Sequence, residues 1–481
     1  MLVAVCAAAG AATYQPLLVI GTCLGAALVA LVWVRPVAAA YLLIGLTPLV
    51  AGIDRGVLIP VLRPNEALEL LMGVTLAARW LVGVRSGGVS FGRLDTVSLG
   101  VLLLAVTNSV TPLAAMAVRG REITTDDIFY SLVLWKLLGL YWIIRASVRT
   151  AREVRVCLVV SLGVASIVAV VGVLQSLDLL GVRGVVATYY AQFGNSAAIA
   201  VIPRGGSTLS LPAATADLLI MNLAVLTGLW LRERWHPVLF GAAAALLTSG
   251  TLAAGEFSSA LGLVLAVVLL AWVSRSWAVS AVFGALGAAA AVLVWPVIAA
   301  RLQGFSMASG VPPSWLGRWH NLTTYFWPEL FSRGNVLLGV RPSARVPAEG
   351  LRTGWVWIES GYTWLLWGGG IPLFLSFLYF TVVATSRGWS VARSRSDAVG
   401  AAGTATFVGF AVIAVLMVFD PHLTYRGSAD EAFVLLALTA VPPSREGTAW
   451  ARHPTRTAGA RPAADDAQRT GQTTDDEVVR T

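Results

Sequence analysis

The chain has 481 residues, of which 57% are hydrophobic and 12% charged, with a mean hydropathy of +0.77 and a formal net charge of +9. An average soluble domain is about a quarter charged, so this composition excludes an ordinary soluble protein and indicates one that crosses a membrane many times. Only Lys136 among the 34 basic residues is a lysine, and no nucleic-acid motif, phosphate loop, zinc-protease pair or serine nucleophile elbow accompanies that excess, so the charge reads as topology and lipid-phosphate binding.

Runs of roughly 17 to 25 apolar residues recur along the chain, each long enough to cross a hydrocarbon core of about 30 Å as a helix. Strand-type alternation is absent, and backbone groups in lipid have to be satisfied internally, which leaves helices as the spanning element. The predicted spans begin with a weak one at 2–14 and continue at 17–34, 37–51, 65–84, 96–116, 128–145 and 156–180. They resume at 211–231, 238–253, 257–274, 277–297, 359–385, 399–418 and 430–441. The expected fold is therefore all-α: a polytopic membrane domain over residues 1–441 with about 12 to 14 transmembrane helices and one long loop before the last three. Met1 to Thr13 lacks a basic segment, so no cleavable signal peptide stands out and the first helices are expected to do the targeting. Cys6, Cys23 and Cys157 lie in apolar segments without CxxC spacing and read as packing residues.

Fourteen arginines, from Arg35 and Arg79 through Arg145 and Arg232 to Arg387, Arg393 and Arg395, fall on one side of this arrangement together with the arginine-bearing tail. By the positive-inside rule that side is cytoplasmic. The tail, 442–481, has almost no large apolar residue and is expected to be disordered. The long segment 298–357 and the shorter one at 181–206 then lie outside.

That outer side carries thirteen arginines, six of them (Arg301, Arg318, Arg333, Arg341, Arg345 and Arg352) in the long segment, where only Glu329 and Glu349 oppose them. One such arginine alone would read as a headgroup contact. Six interleaved with Trp315, Trp319, Tyr325, Phe326, Trp327 and Trp355 suit a ligand bearing phosphates, because a guanidinium pairs with phosphate bidentately, while aromatic rings suit sugar faces or the interface.

Four stretches, in this order and spacing, carry a resemblance: "RGGSTLSLPAATADLL" at 204–219, "LLTSGTLAAGEFSSALGLVLAV" at 246–267, "GRW" at 317–319 with "LLGV" at 337–340, and "ESGYTWLLWGGGIPLFL" at 359–375. Together they resemble the O-antigen ligase and O-antigen polymerase family of bacterial envelope glycan enzymes, most strongly from about Arg204 to Leu438. Two positions depart from the family pattern. Glu256, Phe257 and Ser258 stand where a Ser-Arg-Gly turn is common, and Glu359 and Ser360 stand nearest the position of the ligase branch's histidine.

The resemblance implies a glycosyltransferase on the outer face of the bacterial cytoplasmic membrane. Its donor would be a polyprenyl-diphosphate-linked saccharide and its acceptor a hydroxyl of a glycan or lipid, with the lipid bilayer as its surroundings and neither cofactor nor metal. The leaving diphosphate needs cations more than it needs a general acid. Arg318 and Arg204 are the first expected to supply them, followed by Arg341, Arg345 and Arg352. Glu359 and His320, then Glu329, are the expected bases for the acceptor hydroxyl, although Glu359 would serve equally as a carboxylate at a helix N-terminus and His320 as an interfacial polar group. Lys136, inside a predicted span, is expected to pair with Asp217 or to reach the diphosphate. The turn "FDPHLTYRGSADEA" at 419–432 reads as a polar cap or as part of the site. A transporter or flippase for an anionic lipid-linked glycan is the competing reading, and it would call for internal repeats and polar residues near the midplane, neither of which is evident in the sequence.

Overall fold

The computed structural model describes residues 16–59, 61–83, 94–190, 203–233, 235–306, 313–348 and 354–442. The predicted span at 2–14, Cys6, Arg352, Glu349 and the 443–481 tail lie outside these residues.

Helices α1 (Pro16–Val34), α2 (Val37–Val50), α3 (Pro64–Leu81) and α4 (Thr96–Val118) open the chain, followed by the short α5 (Thr125–Ser131), α6 (Val133–Ser147), α7 (Ala151–Ser176) and α8 (Val182–Tyr189). Next come α9 (Pro212–Glu233), α10 (Pro237–Ala253), α11 (Phe257–Ser274), α12 (Trp277–Leu293) and α13 (Trp295–Ser306). The long segment holds α14 (Pro313–Asn321), a π-helical turn (Leu322–Phe326), α15 (Trp327–Leu330), α16 (Asn335–Leu338) and an antiparallel pair, β1 (Arg345–Pro347) with β2 (Trp355–Trp357). Helices α17 (Gly361–Ser394), α18 (Ala398–Leu416) and α19 (Ser428–Leu438) close the fold.

The protein is thus an all-α polytopic membrane protein, apart from the three-residue strand pair. Among the described residues, seven helical stretches are long and apolar enough to cross a membrane, or eight if the bent pair α12–α13, with its 79° break, counts as one span. Helix α2, α10 and part of α1 are shorter apolar helices, and α3 coincides with the predicted span at 65–84. The last predicted span, 430–441, is a helix but not one long enough to cross. Helix α19 has 11 residues, about half of what a crossing needs, and is buried all round by its neighbours. Cys157 is buried as a packing residue, whereas Cys23 is exposed on α1.

Helices α9 and α18 form the interior. From Ala213 to Leu229 every residue of α9 is buried, as an all-round apolar helix requires. Small residues let these backbones approach, since a Cβ on Gly228 would stand 2.9 Å from the Ala401 Cα and one on Gly388 2.6 Å from the Phe407 nitrogen. Helix ends are set locally: Asp95 caps α4 through the Ser98 N–H, and Thr150 with Glu153 forms a capping box on α7.

One break positions the loop. Gly370, inside α17, has φ +65, and a Cβ there would lie 2.6 Å from the Gly339 nitrogen. The Trp367 carbonyl accepts from the Val340 N–H at 2.7 Å, so "LLGV" is fastened directly onto the glycine-rich turn of α17.

Candidate functional site

Arg318, on α14, is the centre of a charged cluster at the loop-bearing end of the bundle. Its Nη2 donates to Asp420 Oδ2 at 2.7 Å, and its Nε stands 3.9 Å from Glu359 Oε1. Asn321, one turn further along, donates to Glu359 Oε2 at 3.3 Å. Arg204 and Arg301 meet on one carboxylate, Glu256, at 2.9 and 3.0 Å, and Arg301 Nε also donates to the Gly255 carbonyl at 2.7 Å. Glu256 lies within electrostatic reach of Arg318, Glu359 and Asp420, so the three arginines and three carboxylates act as one group.

Local sequence explains why these side chains meet. Ser360 caps α17 through the Thr363 N–H, which fixes Glu359 just ahead of the helix. Gly205 lies against α7, where a Cβ would come within 2.7 Å of the Gly172 carbonyl, and its N–H donates to Ala253, which carries Arg204 to the α10–α11 turn. Glu256 therefore occupies, as a carboxylate, the turn at which the resemblance implies an arginine.

Burial pushes the Glu359 carboxyl above the usual range against the opposing pull of Arg318 and Asn321. Asp420 is pushed up to about 6 by burial, and Glu359 and Glu256 add to the rise while Arg318 and His422 oppose it. Burial disfavours the Arg318 charge, but Asp420 and Glu359 outweigh it and hold that pKa above its ordinary value. The cluster thus pairs a firmly charged guanidinium with two carboxyls that take up protons more readily than free ones do.

The sequence reading left the 419–432 turn open between a polar cap and part of the site, and did not foresee the pairings behind Arg318. His422 Nδ1 lies 2.6 Å from Asp217 Oδ2, and the two residues are 1% and 3% exposed. The signal was the turn at 419–432, which supplies Asp420 and His422 to the site while the rest of it caps α19.

Other expected residues sit elsewhere. His320 is on the same short helix as Arg318 but is exposed and faces Thr324, 3.4 Å from its Oγ1, and Tyr325, so the structure does not bring it to the cluster. Two residues along a helix point to different faces, which is the physical reason. Arg341 forks onto Asp127 and Arg345 binds Asp126, both at the start of α5, with Arg345 also over the Trp355 ring at 4.6 Å. Arg341 lines a separate cleft of about 570 Å³ with Arg121, Glu122, Thr324, Tyr325 and Glu329. Glu329 pairs there with Arg121 at 2.7 Å, away from Arg318. The carboxylates opposing the loop's arginines come largely from outside the loop, which the count of Glu329 and Glu349 alone could not show.

Lys136 does not pair with Asp217. Its Nζ lies 2.5 Å from Asp430 Oδ1 at the start of α19, and Glu69 of α3 is the next acid within its reach. Asp217 is taken instead by His422. Beside Asp430, Glu431 accepts from Ser161 at 2.6 Å, and that hydroxyl also lies 2.8 Å from Asn222 Oδ1.

No protein-family model and no curated protein matches this chain. Within the chain, the stretches that carry the resemblance touch one another: 204–219 meets 246–267 through Arg204 and Glu256, "GRW" meets 359–375 through Arg318 and Glu359, and "LLGV" meets the same helix through Trp367.

Proposed function

We propose that the protein is a membrane glycosyltransferase of the polymerase or ligase type, using a polyprenyl-diphosphate-linked saccharide as donor and a glycan or lipid hydroxyl as acceptor, at the outer face of a bacterial cytoplasmic membrane. The observation that carries the reading is Arg318 held between Asp420 and Glu359, two carboxyls whose pKa values burial has raised. A diphosphate arriving at the mouth exchanges for those carboxylates on the guanidinium and is bound bidentately. Glu359 then loses the cation that held its proton affinity down, and becomes the stronger base for an acceptor hydroxyl beside the donor. The hydroxyl oxygen bonds to the sugar's anomeric carbon as the carbon–oxygen bond to phosphate breaks, and the diphosphate leaves with the electron pair against Arg318, with Arg204 and Arg301 beside it.

Deletion of the gene and analysis of surface glycan tests this. Loss of long chains with a single lipid-linked repeat accumulating fits a polymerase, and a lipid-linked polymer that never reaches its acceptor fits a ligase. Absence of lipid-linked substrate from the outer leaflet would replace both with a flippase. One observation favours that second reading: the buried acids Glu69, Asp430 and Glu431 gather around the half-buried Lys136 inside the bundle, a group of the sort that couples ions to transport.

A further inference from the structure

The Asp217–His422 pair has a feature that a polar cap does not need. With Nδ1–H donating to Asp217 Oδ2 at 2.6 Å, the imidazole's other nitrogen is an acceptor, and among the described residues Nε2 has no hydrogen-bond partner although it is buried. Asp217 Oδ1 is likewise buried without a partner among them. A buried lone pair left unmatched costs free energy, so its persistence points to a donor that the protein does not itself supply.

Every charged neighbour belongs to the cluster already described. Asp217 reaches the ring from α9, while Asp420 and Tyr425 flank it on its own turn, with the Tyr425 ring 4.8 Å away. Arg318 of α14, Glu256 of the α10–α11 turn and Glu359 ahead of α17 all reach Asp420, and Arg318 and Glu256 also reach Tyr425. Among the described residues the ring's hydrogen-bond partner is the acid Asp217, which orients it, and that is the arrangement that makes imidazole a proton acceptor.

We propose that the Asp217–His422 pair is a second proton acceptor of this site, whose Nε2 receives an O–H donor, either water or the acceptor hydroxyl itself. The proposal deepens the glycosyltransferase reading and rests on it for its role in turnover. With donor and acceptor filling the mouth, the proton taken by Glu359 has little open water to leave through. Passed through one O–H carrier, which gives up one proton and gains another, it reaches Nε2. The imidazolium is balanced by ionised Asp217, Glu359 returns to its ionised state, and the proton leaves for water when product departs.

The test uses the full-length protein in nanodiscs with ¹⁵N-labelled histidine, since the chain has only four histidines: His236, His320, His422 and His453. The signal lost in His422→Gln identifies His422. At pH 8 it should show protonated Nδ1 and unprotonated Nε2, and Asp217→Asn should shift population towards protonated Nε2. Protonated Nε2 in the unaltered protein, or no change in Asp217→Asn, overturns the proposal without reference to glycosyl transfer. For turnover, the pH profile of kcat should show two ionisations that reduce to one in His422→Gln, with donor affinity changed less than threefold. An unchanged profile in an active His422→Gln protein also overturns it. If that variant does not fold, Asp217→Asn gives the same reading by flattening the same ionisation. The expected tautomer in a protein that never transfers sugar would sink the glycosyltransferase reading and leave the proton acceptor standing.

Discussion

Arg318 is shared between two acids from different elements: its Nη2 lies 2.7 Å from Asp420 Oδ2, ahead of α19, while its Nε lies 3.9 Å from Glu359 Oε1, ahead of α17. The guanidinium therefore links the turns ahead of α17 and α19 to the loop helix α14. It reaches Asp420 through a hydrogen bond and Glu359 through a longer ion pair.

Replacement of Arg318 should expose that dependence. Lysine offers a point charge without the fork, so Arg318→Lys should lose nearly as much donor affinity as Arg318→Ala, on the order of tenfold or more in each. Donor binding measured beside thermal unfolding checks this. A lysine variant with unaltered affinity would reduce Arg318 to an interfacial charge.

Binding should strengthen as pH falls through 6. Burial pushes Asp420 up to about 6 in the folded protein, above the ordinary aspartate value of 3.8. Its share of folding stability is therefore fully present below the unfolded value and lost as pH rises through about 6. Over the same interval protonation releases Arg318, so pyrophosphate affinity should rise several-fold between pH 7 and pH 5.5. Asp420→Asn should bind tightly at both, and a variant that keeps the pH dependence would assign it to another group.

Glu359→Gln keeps the oxygen that accepts from Asn321 but cannot take a proton and no longer competes for Arg318. Turnover should fall by roughly a hundredfold with donor affinity unchanged or higher. A fully active Glu359→Gln protein would remove the carboxylate from the mechanism.

Inside the bundle, Lys136 and Asp430 should prove interdependent. Lys136→Met leaves an acid 3% exposed beside Glu69 and Glu431, at a cost of about 3 kcal/mol or more. Lys136→Met combined with Asp430→Asn should recover most of that loss in unfolding measured in detergent. Additive losses would show that the 2.5 Å contact is not an energetic pair.

Sidedness follows from the arginine asymmetry and can be read with introduced cysteines. In whole cells a membrane-impermeant thiol reagent should label Trp319→Cys, which is exposed in the loop, and leave Thr448→Cys in the tail silent. Reversed labelling would invert the topology and put the cluster on the cytoplasmic side.

The helical membrane class was legible because hydropathy is a sum over many residues; Arg318 and Glu359 stood out as candidates because one sits in the "GRW" stretch, in the last turn of α14, and the other just ahead of α17. The partners were not. Asp420 lies 102 residues beyond Arg318 in the chain, and Asp217 lies 205 before His422, with no local pattern to join either pair. Lys136 went to the wrong acid for the same reason: Asp217 lies in the second turn of α9 and Asp430 in the first turn of α19, and only packing of α6 against α19 decides between them. His320 was nominated by proximity in sequence, which helical geometry sends to another face.

The backbone seam at Gly339 and Gly370 divides the long loop mechanically. Its second half, from α16 through Arg341, is fastened to α17 by main chain, so a larger residue at either glycine would collide with backbone. The first half reaches the bundle through the 79° elbow at Val294 and through side chains such as Arg318. Side-chain contacts exchange far faster and more cheaply than a buried backbone seam unzips. Contacts such as Arg318–Asp420 would therefore yield before the Gly339–Gly370 seam does, so a displacement of α14 leaves α16 in place against α17.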